Sequence, residues 1–253
     1  MKLVLFDIDG TLLDSGGAGS MALNAAFREL FPAWETGLRG TGSRGTGSPF
    51  DGIRMGGKTD TEIVMEAMNK HGIEADGKIP VFMDAYVRHL KVQIGIFNPA
   101  RRLKPGVREA LNALDIMEGV ALGLLTGNIE EGARIKLEPF GLNGYFPLGA
   151  FGSDSADRNS LLPVALERFN QNWQSGQNWQ SGRAGKKQKL TPSDCIVVGD
   201  TPRDVECAKI HGAHSVAVAT GGYTAAELLN TEADHVLEDM GDTGLFLNCL
   251  ELV

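Results

Sequence analysis

The chain has 253 residues and a formal net charge of −8, with 24 basic against 32 acidic side chains. This length accommodates one large α/β domain, or a core with a smaller second domain. Hydrophobic residues make up 42% and charged residues 22% of the chain, as in ordinary globular proteins. The acidic balance argues against a broad nucleic-acid or anionic-membrane surface, which needs clustered Lys and Arg. We therefore expect neither kind of partner.

Three widely spaced cysteines, Cys195, Cys207 and Cys249, form no Cys-x-x-Cys pair. A sparse, odd count favours a reducing compartment and provides no disulfide or zinc framework. The apolar run near the first residue, 3–6, is far too short for a signal peptide or a membrane span. We therefore expect a cytoplasmic protein.

Short apolar runs alternate with helical patterns along most of the chain. Runs of this kind, nearly continuous and ending in a polar or glycine residue, are typical of strands buried on both faces of a parallel sheet. Helical patterns lie at 160–170 and 202–211, and another begins with Pro105 in a first-turn position. The alternation predicts an α/β fold with a doubly wound parallel sheet. The predicted strands are 3–6, 120–125, 148–151, 196–198 and 216–219.

The stretch from residue 15 to residue 102 has a different pattern. It holds helical patterns at 21–30, 59–71 and 81–94 and no convincing strand. We interpret it as a smaller helical domain inserted into the core, which then comprises residues 1–14 and 103–253.

Two segments are tandem duplications, 39–43 repeated at 44–48 and 171–176 repeated at 177–182. Two copies of five or six residues are too few and too short for a solenoid. Their Gly- and Ser-rich composition favours mobile surface loops. Trp173 and Trp179 could mark a partner site, although a tolerated loop insertion explains them better.

The strongest chemical signal is Asp7-Ile-Asp9-Gly10-Thr-Leu, directly after the first predicted strand. Gly10 lets the backbone turn, so both carboxylates can face one pocket at the carboxyl edge of the sheet, where open parallel sheets bind ligands. A carboxylate attacks phosphorus once a cation offsets the charge of the phosphate, and a second carboxylate can transfer protons. Taken alone, the motif also fits a plain Asp-Gly turn.

A second acidic motif, Gly199-Asp200-Thr-Pro-Arg-Asp204, follows another apolar run. Asp200 would reach the same edge and complete an oxygen-rich site with Asp7 and the main-chain carbonyl of Asp9. A few hard oxygen ligands are what Mg²⁺ favours. Asp204 either orients Asp200 or a metal-bound water, or is simply a first-turn acid favoured by the helix dipole.

Two further positions could bind an anion. Thr126-Gly127-Asn128 closes the strand 120–125 and enters a helix, so its hydroxyl and free N–H groups form either a phosphate site or an ordinary helix cap. Arg158 follows the possible strand 148–151 and is our candidate for the cation that holds a transferring phosphoryl group. An isolated surface arginine is the alternative.

Asp7-x-Asp9-Gly-Thr-Leu, Thr126, a basic residue and Gly-Asp200-x-x-x-Asp204, in this order, resemble the haloacid dehalogenase superfamily of phosphatases. The resemblance covers residues 1–14 and 103–253, and the helical insertion resembles the cap of the phosphoglycolate phosphatase-like branch. It implies a Mg²⁺-dependent phosphatase that acts on a small phosphorylated metabolite, with phosphoglycolate as the favoured guess.

The resemblance also implies a role for each matching residue. Asp7 would be the nucleophile and Asp9 the general acid/base, and Asp200 would bind Mg²⁺ together with both. Thr126 and Arg158 would hold the phosphoryl group, although much of the family has Lys where this chain has Arg158. A loop of the cap enters the site in this family; Gly56-Gly57-Lys58-Thr59-Asp60 is our candidate for it. Lys58 would then meet a substrate carboxylate or phosphate, whereas a glycine-rich turn capped by Thr59 explains the same residues.

Three other activities were weighed. Dehalogenases of this superfamily lack the second Asp of the first motif, so Asp9 argues against carbon–halogen chemistry. A phosphomutase shares every core residue and differs in returning the phosphoryl group to a sugar. A silent binding protein would be expected to have lost one of Asp7, Asp9 or Asp200. We therefore rank phosphatase first, mutase second and silent binder third.

Overall fold

The structure, a computed structural model, describes residues 1–32, 47–175 and 189–252, and for residues 173–175 the backbone alone. Its strands are β1 Lys2–Phe6, β2 Leu13–Asp14, β3 Arg102–Leu103, β4 Val120–Thr126, β5 Gly149–Phe151, β6 Cys195–Gly199, β7 His214–Val218 and β8 His235–Leu237. Six of them form one parallel sheet in the order β5-β4-β1-β6-β7-β8. The five predicted strands all belong to this sheet. The α/β fold with a doubly wound parallel sheet is therefore confirmed.

Nine α-helices lie in the described residues: α1 Ala18–Leu30, α2 Asp60–Lys70, α3 Ile79–Gly95, α4 Val107–Asp115, α5 Glu130–Leu137, α6 Leu161–Ser175, α7 Pro202–Lys209, α8 Ala225–Leu228 and α9 Thr243–Cys249. Successive side chains of each strand point to opposite faces of the sheet, and both faces are buried. Val4 and Phe6 of β1 pack with α4, α5 and α9, whereas Leu3 and Leu5 pack with α6 and α7. This double burial explains why the strands read as continuous apolar runs.

The start of α4 differs from the prediction. We expected Pro105 in the first turn, but the helix begins at Val107, two residues later. Gly106 stands between them with φ of 74°, in the left-handed region that glycine tolerates. A Cβ atom there would lie 1.9 Å from the Met240 carbonyl oxygen. This close packing fixes a turn at Gly106, so helical geometry begins only after it.

Helices α1, α2 and α3 form a separate layer with its own apolar cluster. Phe27, Phe50, Phe82 and Tyr86 are the large rings of this cluster, and each is almost fully buried. A short antiparallel ribbon of β2 and β3, with Leu13 opposite Leu103, stands where the chain leaves the sheet and where it returns. The pairing of these two strands was not predicted.

Most of both duplicated segments, residues 39–46 and 176–182, lies outside the described residues, together with Trp179. Within the ranges described above, no helix has both the length and the apolar character needed to cross a bilayer.

Candidate functional site

The carboxyl ends of three adjacent strands bring the predicted polar residues together. Asp7 follows β1, Thr126 ends β4, and Asp200 follows β6, and all three are buried. These strands are neighbours in the sheet, so the side chains meet at one edge, as open parallel sheets arrange their ligand sites. A cavity of about 210 Å³ opens there, lined by Asp7, Asp9, Lys58, Gly127, Asn128, Arg158 and Asp200 among others.

Three buried carboxylates lie at one end of this cavity. One oxygen from each of Asp7, Asp200 and Asp204 lies within 4.8 Å of the others. Two glycines make room for Asp200, because a Cβ at Gly10 would lie 2.4 Å, and one at Gly221 only 1.6 Å, from its Oδ2. The Thr11 hydroxyl donates to Asp200 Oδ1 at 2.9 Å and fixes the orientation of the carboxyl group.

Arg158 is the cation of this cluster. It lies in a 3-10 turn before α6, is 3% exposed, and its Nη2 lies 3.1 Å from Asp7 Oδ1. The same nitrogen forms an ion pair with Asp204 Oδ1. Its Nε is buried and has no hydrogen-bond partner among the described residues. The alternative of an isolated surface arginine therefore does not hold for this residue.

Burial and like charges shift the protonation of the acids. Desolvation raises the pKa of Asp7 to about 6, with Arg158 opposing this shift and Asp204 and Asp9 adding to it. Burial, followed by the carboxylates of Asp7 and Asp204, raises the pKa of Asp200 well above its ordinary value. One arginine therefore does not offset the negative charge of the three acids.

Asp204 has a local structural role in addition to its contact with Arg158. Its Oδ2 accepts hydrogen bonds from the Thr201 N–H at 3.0 Å and the Thr201 hydroxyl at 2.7 Å, which completes a capping box at the start of α7. Both of its oxygens therefore have protein partners.

Thr126, Gly127 and Asn128 form a tight polar turn after β4. The Asn128 side-chain amide donates to Thr126 Oγ1 and to Asp9 Oδ2, both at 2.9 Å. A Cβ at Gly127 would lie 2.1 Å from the Lys58 carbonyl oxygen, so only glycine fits against the chain that passes there. The predicted loop around Lys58 therefore does reach this turn.

Sequence reasoning missed Lys136, which lies on α5 at the same cavity. Its Nζ is 2.6 Å from Asp9 Oδ2 and 2.5 Å from Asn128 Oδ1, and its side chain is 5% exposed. Although burial alone raises the pKa of Asp9, the charge and hydrogen bond of Lys136 lower it below the ordinary value. The available signal was a lysine between Ala133 and Leu137 on the buried face of a helix.

The Lys58 side chain points to acids of its own helical layer. Its Nζ forms ion pairs with Glu66 and, at 3.8 Å, with Glu62. Glu62 also accepts from Arg203 at 2.8 Å, beside the acidic cluster. Lys58 lines the cavity, and its charge is shared between these two glutamates.

Residues 57–61, which we call the anchor segment, bind two loops at the carboxyl edge of the sheet, one after β4 and one after β5. The Asp60 N–H donates to the Gly127 carbonyl at 2.7 Å, and Asp60 Oδ2 accepts from the Ile129 N–H at 2.9 Å. The Thr59 and Thr61 hydroxyls donate to the carbonyls of Ala156 and Gly152 at 2.8 and 2.7 Å. Asp60 is buried, and desolvation raises its pKa to about 6. These contacts were not predicted.

The acidic cluster fits a hard divalent cation. Its donors are carboxylate oxygens, the type that Mg²⁺ prefers, and burial followed by neighbouring carboxylates raises the pKa of Asp7 and Asp200, which a bound cation would oppose. Asp9 directs its carboxylate away from this cluster, toward Lys136.

Comparison with known proteins assigns the family. A family model for haloacid dehalogenase-like hydrolases matches residues 1–212. Phosphoglycolate phosphatases from Vibrio vulnificus (strain YJ016) and Nitrosospira multiformis are 28% and 25% identical, each over 95% of this chain and 93% and 92% of the relative.

Solved structures share the fold. CbbY from Rhodobacter sphaeroides, solved in complex with phosphate, superposes with a TM-score of 0.68 at 17% identity, with 100% of both chains covered. A hydrolase from Pseudomonas syringae superposes with a TM-score of 0.64 at 20% identity, also over 100% of both chains. The strand order, the polar strand ends and the family match agree, and the chain belongs to the haloacid dehalogenase-like hydrolase family, an enzyme family in which its curated relatives are phosphatases.

Proposed function

We propose that the protein is a Mg²⁺-dependent phosphatase that hydrolyses a small phosphate monoester through a phosphorylated Asp7. The observation that carries the proposal is the contact of Arg158 with Asp7 at 3.1 Å, inside a buried cluster that also holds Asp200 and Asp204. A carboxylate nucleophile needs positive charge beside it to approach a phosphate dianion. The resident arginine supplies part of that charge.

In the proposed reaction, an oxygen of Asp7 forms a bond to phosphorus while the bond to the leaving oxygen breaks. Arg158 holds the transferring group, with the buried Nε–H as a free donor. Gly127 and Asn128, in the turn after the adjacent strand, complete the phosphate-binding surface, and the buried Thr126 orients this turn by accepting from the Asn128 N–H. Water then attacks the phosphorylated Asp7 and releases inorganic phosphate.

Asp9 is proposed as the general acid and base. It donates a proton to the leaving oxygen in the first step and accepts one from the attacking water in the second. Its carboxylate lines the cavity, is 39% exposed and contacts Lys136 and Asn128. It is therefore open to the cavity, where it can reach the leaving group.

The proposed Mg²⁺ site consists of Asp7, Asp200 and the main-chain carbonyl of Asp9, with Asp204 next to them. When bound, the ion supplies positive charge that offsets the phosphate and the clustered carboxylates. In this proposal Asp204 acts mainly through its ion pair with Arg158.

We further propose residues 15–102 as a cap over a core of residues 1–14 and 103–253. The separate apolar cluster of α1 to α3 and the β2–β3 ribbon at the two crossings support this division. The anchor segment forms the side of the cap that contacts the loops of the sheet. Lys58 can bind the substrate only if its ion pair with Glu66 breaks. A cap of this kind closes over the substrate and shields the site from bulk water.

The substrate is proposed to be phosphoglycolate or a close analogue. The curated relatives named above are phosphoglycolate phosphatases. The cavity of about 210 Å³ suits a small ester rather than a nucleotide.

The test is phosphate release from a panel of phosphoglycolate, sugar phosphates and nucleotides, with Mg²⁺ and with EDTA. We expect Mg²⁺-dependent release that Asp7→Asn abolishes and that the exposed-site control Asp76→Asn retains. Trapping of the phosphorylated enzyme with hydroxylamine should label the wild type and not Asp7→Asn. A folded enzyme that releases no phosphate from any ester would refute the proposal, and transfer between sugar phosphates instead of release would identify a mutase.

A further inference from the structure

Tyr86, on α3, places an unused hydroxyl at the cavity. The residue is fully buried, and its hydroxyl oxygen has no hydrogen-bond partner among the described residues. Its ring packs in the apolar cluster of α1 to α3, while the residue also lines the cavity beside Lys136 and Asn128. A buried hydroxyl without a partner is unfavourable, and phenylalanine would fill the same apolar space without that cost.

Lys136 places a second donor beside this hydroxyl. Two of its three N–H groups bind Asp9 and Asn128, and the described residues provide no acceptor for the third. Gly19 of α1 lies between the two donors, because a Cβ there would stand 3.2 Å from Lys136 Nζ and 3.8 Å from the Tyr86 hydroxyl. The absence of a side chain at Gly19 therefore keeps this part of the cavity open.

The chemistry of this corner favours an acceptor. Burial and the nearby Asp60 carboxyl raise the pKa of Tyr86, so the phenol keeps its proton and donates it. Two carboxyl groups face this corner: Asp9 is paired with Lys136, and one oxygen of Asp60 already accepts from Ile129. Two directed donors remain for an oxygen atom of a bound molecule.

The corner lies on the leaving-group side of the proposed reaction. Lys136 binds Asp9 Oδ2, and Asp9 is the residue proposed to protonate the leaving oxygen. An oxygen that accepts from Tyr86 and Lys136 therefore belongs to the organic part of the ester, beyond the bond that breaks.

We propose that Tyr86 is a specificity-determining residue whose hydroxyl, with Lys136, binds a carboxylate or hydroxyl oxygen on the leaving group of the substrate. This inference rests on the proposed phosphatase function. It explains why a tyrosine stands among phenylalanines in this cluster, and it limits the preferred substrates to esters that carry an oxygen near the phosphorylated carbon.

Three esters that share one carbon–oxygen–phosphate unit provide the test. The three esters differ in the group attached to the CH2 that carries the phosphate. This group is a carboxylate in phosphoglycolate, a hydroxymethyl group in 2-hydroxyethyl phosphate and a methyl group in ethyl phosphate. We expect the wild type to have a higher kcat/KM for at least one oxygen-bearing ester than for ethyl phosphate. Tyr86→Phe should lower this ratio about 2- to 12-fold if the bound group is a hydroxyl, and about 10- to 150-fold if it is a carboxylate, the effect of one lost neutral or charged hydrogen bond.

Tyr145→Phe is the matched control. Tyr145 donates its hydroxyl proton to Asn112, away from the cavity, and the substitution removes the same atom. The ratio should stay at the wild-type value in this control. The ester whose kcat/KM falls in Tyr86→Phe identifies the bound group as carboxylate or hydroxyl, and an unchanged ratio in Tyr86→Phe overturns the inference.

A binding measurement separates this inference from the proposed function. Calorimetry compares phosphoglycolate with ethyl phosphate on Asp7→Asn and on Asp7→Asn/Tyr86→Phe, with no turnover required. A preference for phosphoglycolate that disappears in the double variant supports the role of Tyr86, even if no ester is hydrolysed by the wild type. The same titrations are made with 2-hydroxyethyl phosphate. If both variants prefer phosphoglycolate and 2-hydroxyethyl phosphate over ethyl phosphate to the same degree, the inference about Tyr86 fails, and the proposed phosphatase activity is unaffected.

Discussion

Lys136 Nζ lies 2.6 Å from Asp9 Oδ2, so a buried ammonium on α5 is paired with a carboxylate in the loop after β1. The pairing lowers the pKa of Asp9 against the effect of burial. It thereby holds Asp9 in the ionised form, which accepts a proton from water in the second step of the proposed reaction. To donate a proton to the leaving group in the first step, Asp9 must first take one up from solvent, which requires that this pairing weaken and the pKa of Asp9 rise as the substrate binds.

Replacing Lys136 should slow turnover more than it weakens binding. Lys136→Met leaves Asp9 Oδ2 and Asn128 Oδ1 without their donor, and we expect kcat to fall about 100-fold. Lys91→Met is the control, because Lys91 pairs with Glu131 on the protein surface and should retain the wild-type kcat. Steady-state kinetics with phosphoglycolate provide the measurement. A folded Lys136→Met enzyme with the wild-type kcat would show that Lys136 does not assist Asp9 in turnover.

Arg158 should tolerate neither a shorter cation nor a neutral side chain. Arg158→Lys keeps the charge and loses the guanidinium, whose Nη2 contacts both Asp7 and Asp204, so we expect kcat about 10-fold lower. Arg158→Met should lower kcat by about 1,000-fold. It should also lower the free energy of unfolding by about 3 to 5 kcal/mol, because Asp204 remains buried without its partner.

Urea unfolding and kinetics of both Arg158 variants provide these values. Arg168→Met, at an exposed ion pair with Asp154, is the control and should change the free energy of unfolding by less than about 1 kcal/mol. Similar destabilisation in Arg168→Met and Arg158→Met would show that the burial of the pair has no special effect.

Mg²⁺ should stabilise the fold most at neutral pH. The pKa of Asp7 is raised to about 6 and that of Asp200 is also raised, so without metal the folded state retains protons that the unfolded state has already lost. The free energy of unfolding therefore falls as pH rises from about 4 through 6. Above that range Asp7 is ionised, and the cation competes with fewer protons for the cluster, so the Mg²⁺-induced rise in Tm should be larger at pH 7.5 than at pH 5. Thermal unfolding of the wild type and Asp200→Asn checks this, and an equal rise in both proteins would refute the site.

Removing the charge of Asp60 should stabilise the protein at neutral pH. Its pKa is raised to about 6 by burial, so ionisation above pH 6 is unfavourable in the folded state. Asp60→Asn keeps an oxygen that can accept from Ile129, and it should raise the free energy of unfolding at pH 7.5 on the order of 2 to 3 kcal/mol. Near pH 4, where the folded wild type is already neutral at Asp60, the two proteins should be alike. Urea unfolding in EDTA measures this, and a loss of stability at pH 7.5 would contradict it.

The strand ends allowed much of the site to be predicted. In a parallel sheet the carboxyl ends of adjacent strands share one edge, so an apolar run followed by a polar residue predicts the position of that residue. Asp7, Thr126 and Asp200 lie where this rule expects them. Arg158 was predicted from its position after the strand 148–151 and from the need of a phosphoryl-transfer site for a cation, and the structure brings it to Asp7.

Lys136 and Tyr86 could not be found in the same way. Each stands on the buried face of an amphipathic helix, where sequence periodicity reports burial and not which partner lies opposite. Their positions depend on how α3 and α5 pack across the cavity. The delayed start of α4 has a similar origin, since it depends on contact of Gly106 with distant Met240.

The anchor segment has a consequence for the order in which the protein opens. The anchor segment lies between α1 and α3 in the sequence, within the helical layer. Its hydrogen bonds nevertheless go to the loops of the sheet, at Gly127, Ile129, Gly152 and Ala156. In native-state amide exchange, the N–H groups of Asp60 and Ile129 should therefore exchange together, at the rate of the sheet loops rather than that of α1. The cooperative unit that unfolds with the sheet then includes the anchor segment, which lies about fifty residues after the first strand. The boundary between this unit and the helical layer is therefore set by these hydrogen bonds and not by position in the sequence.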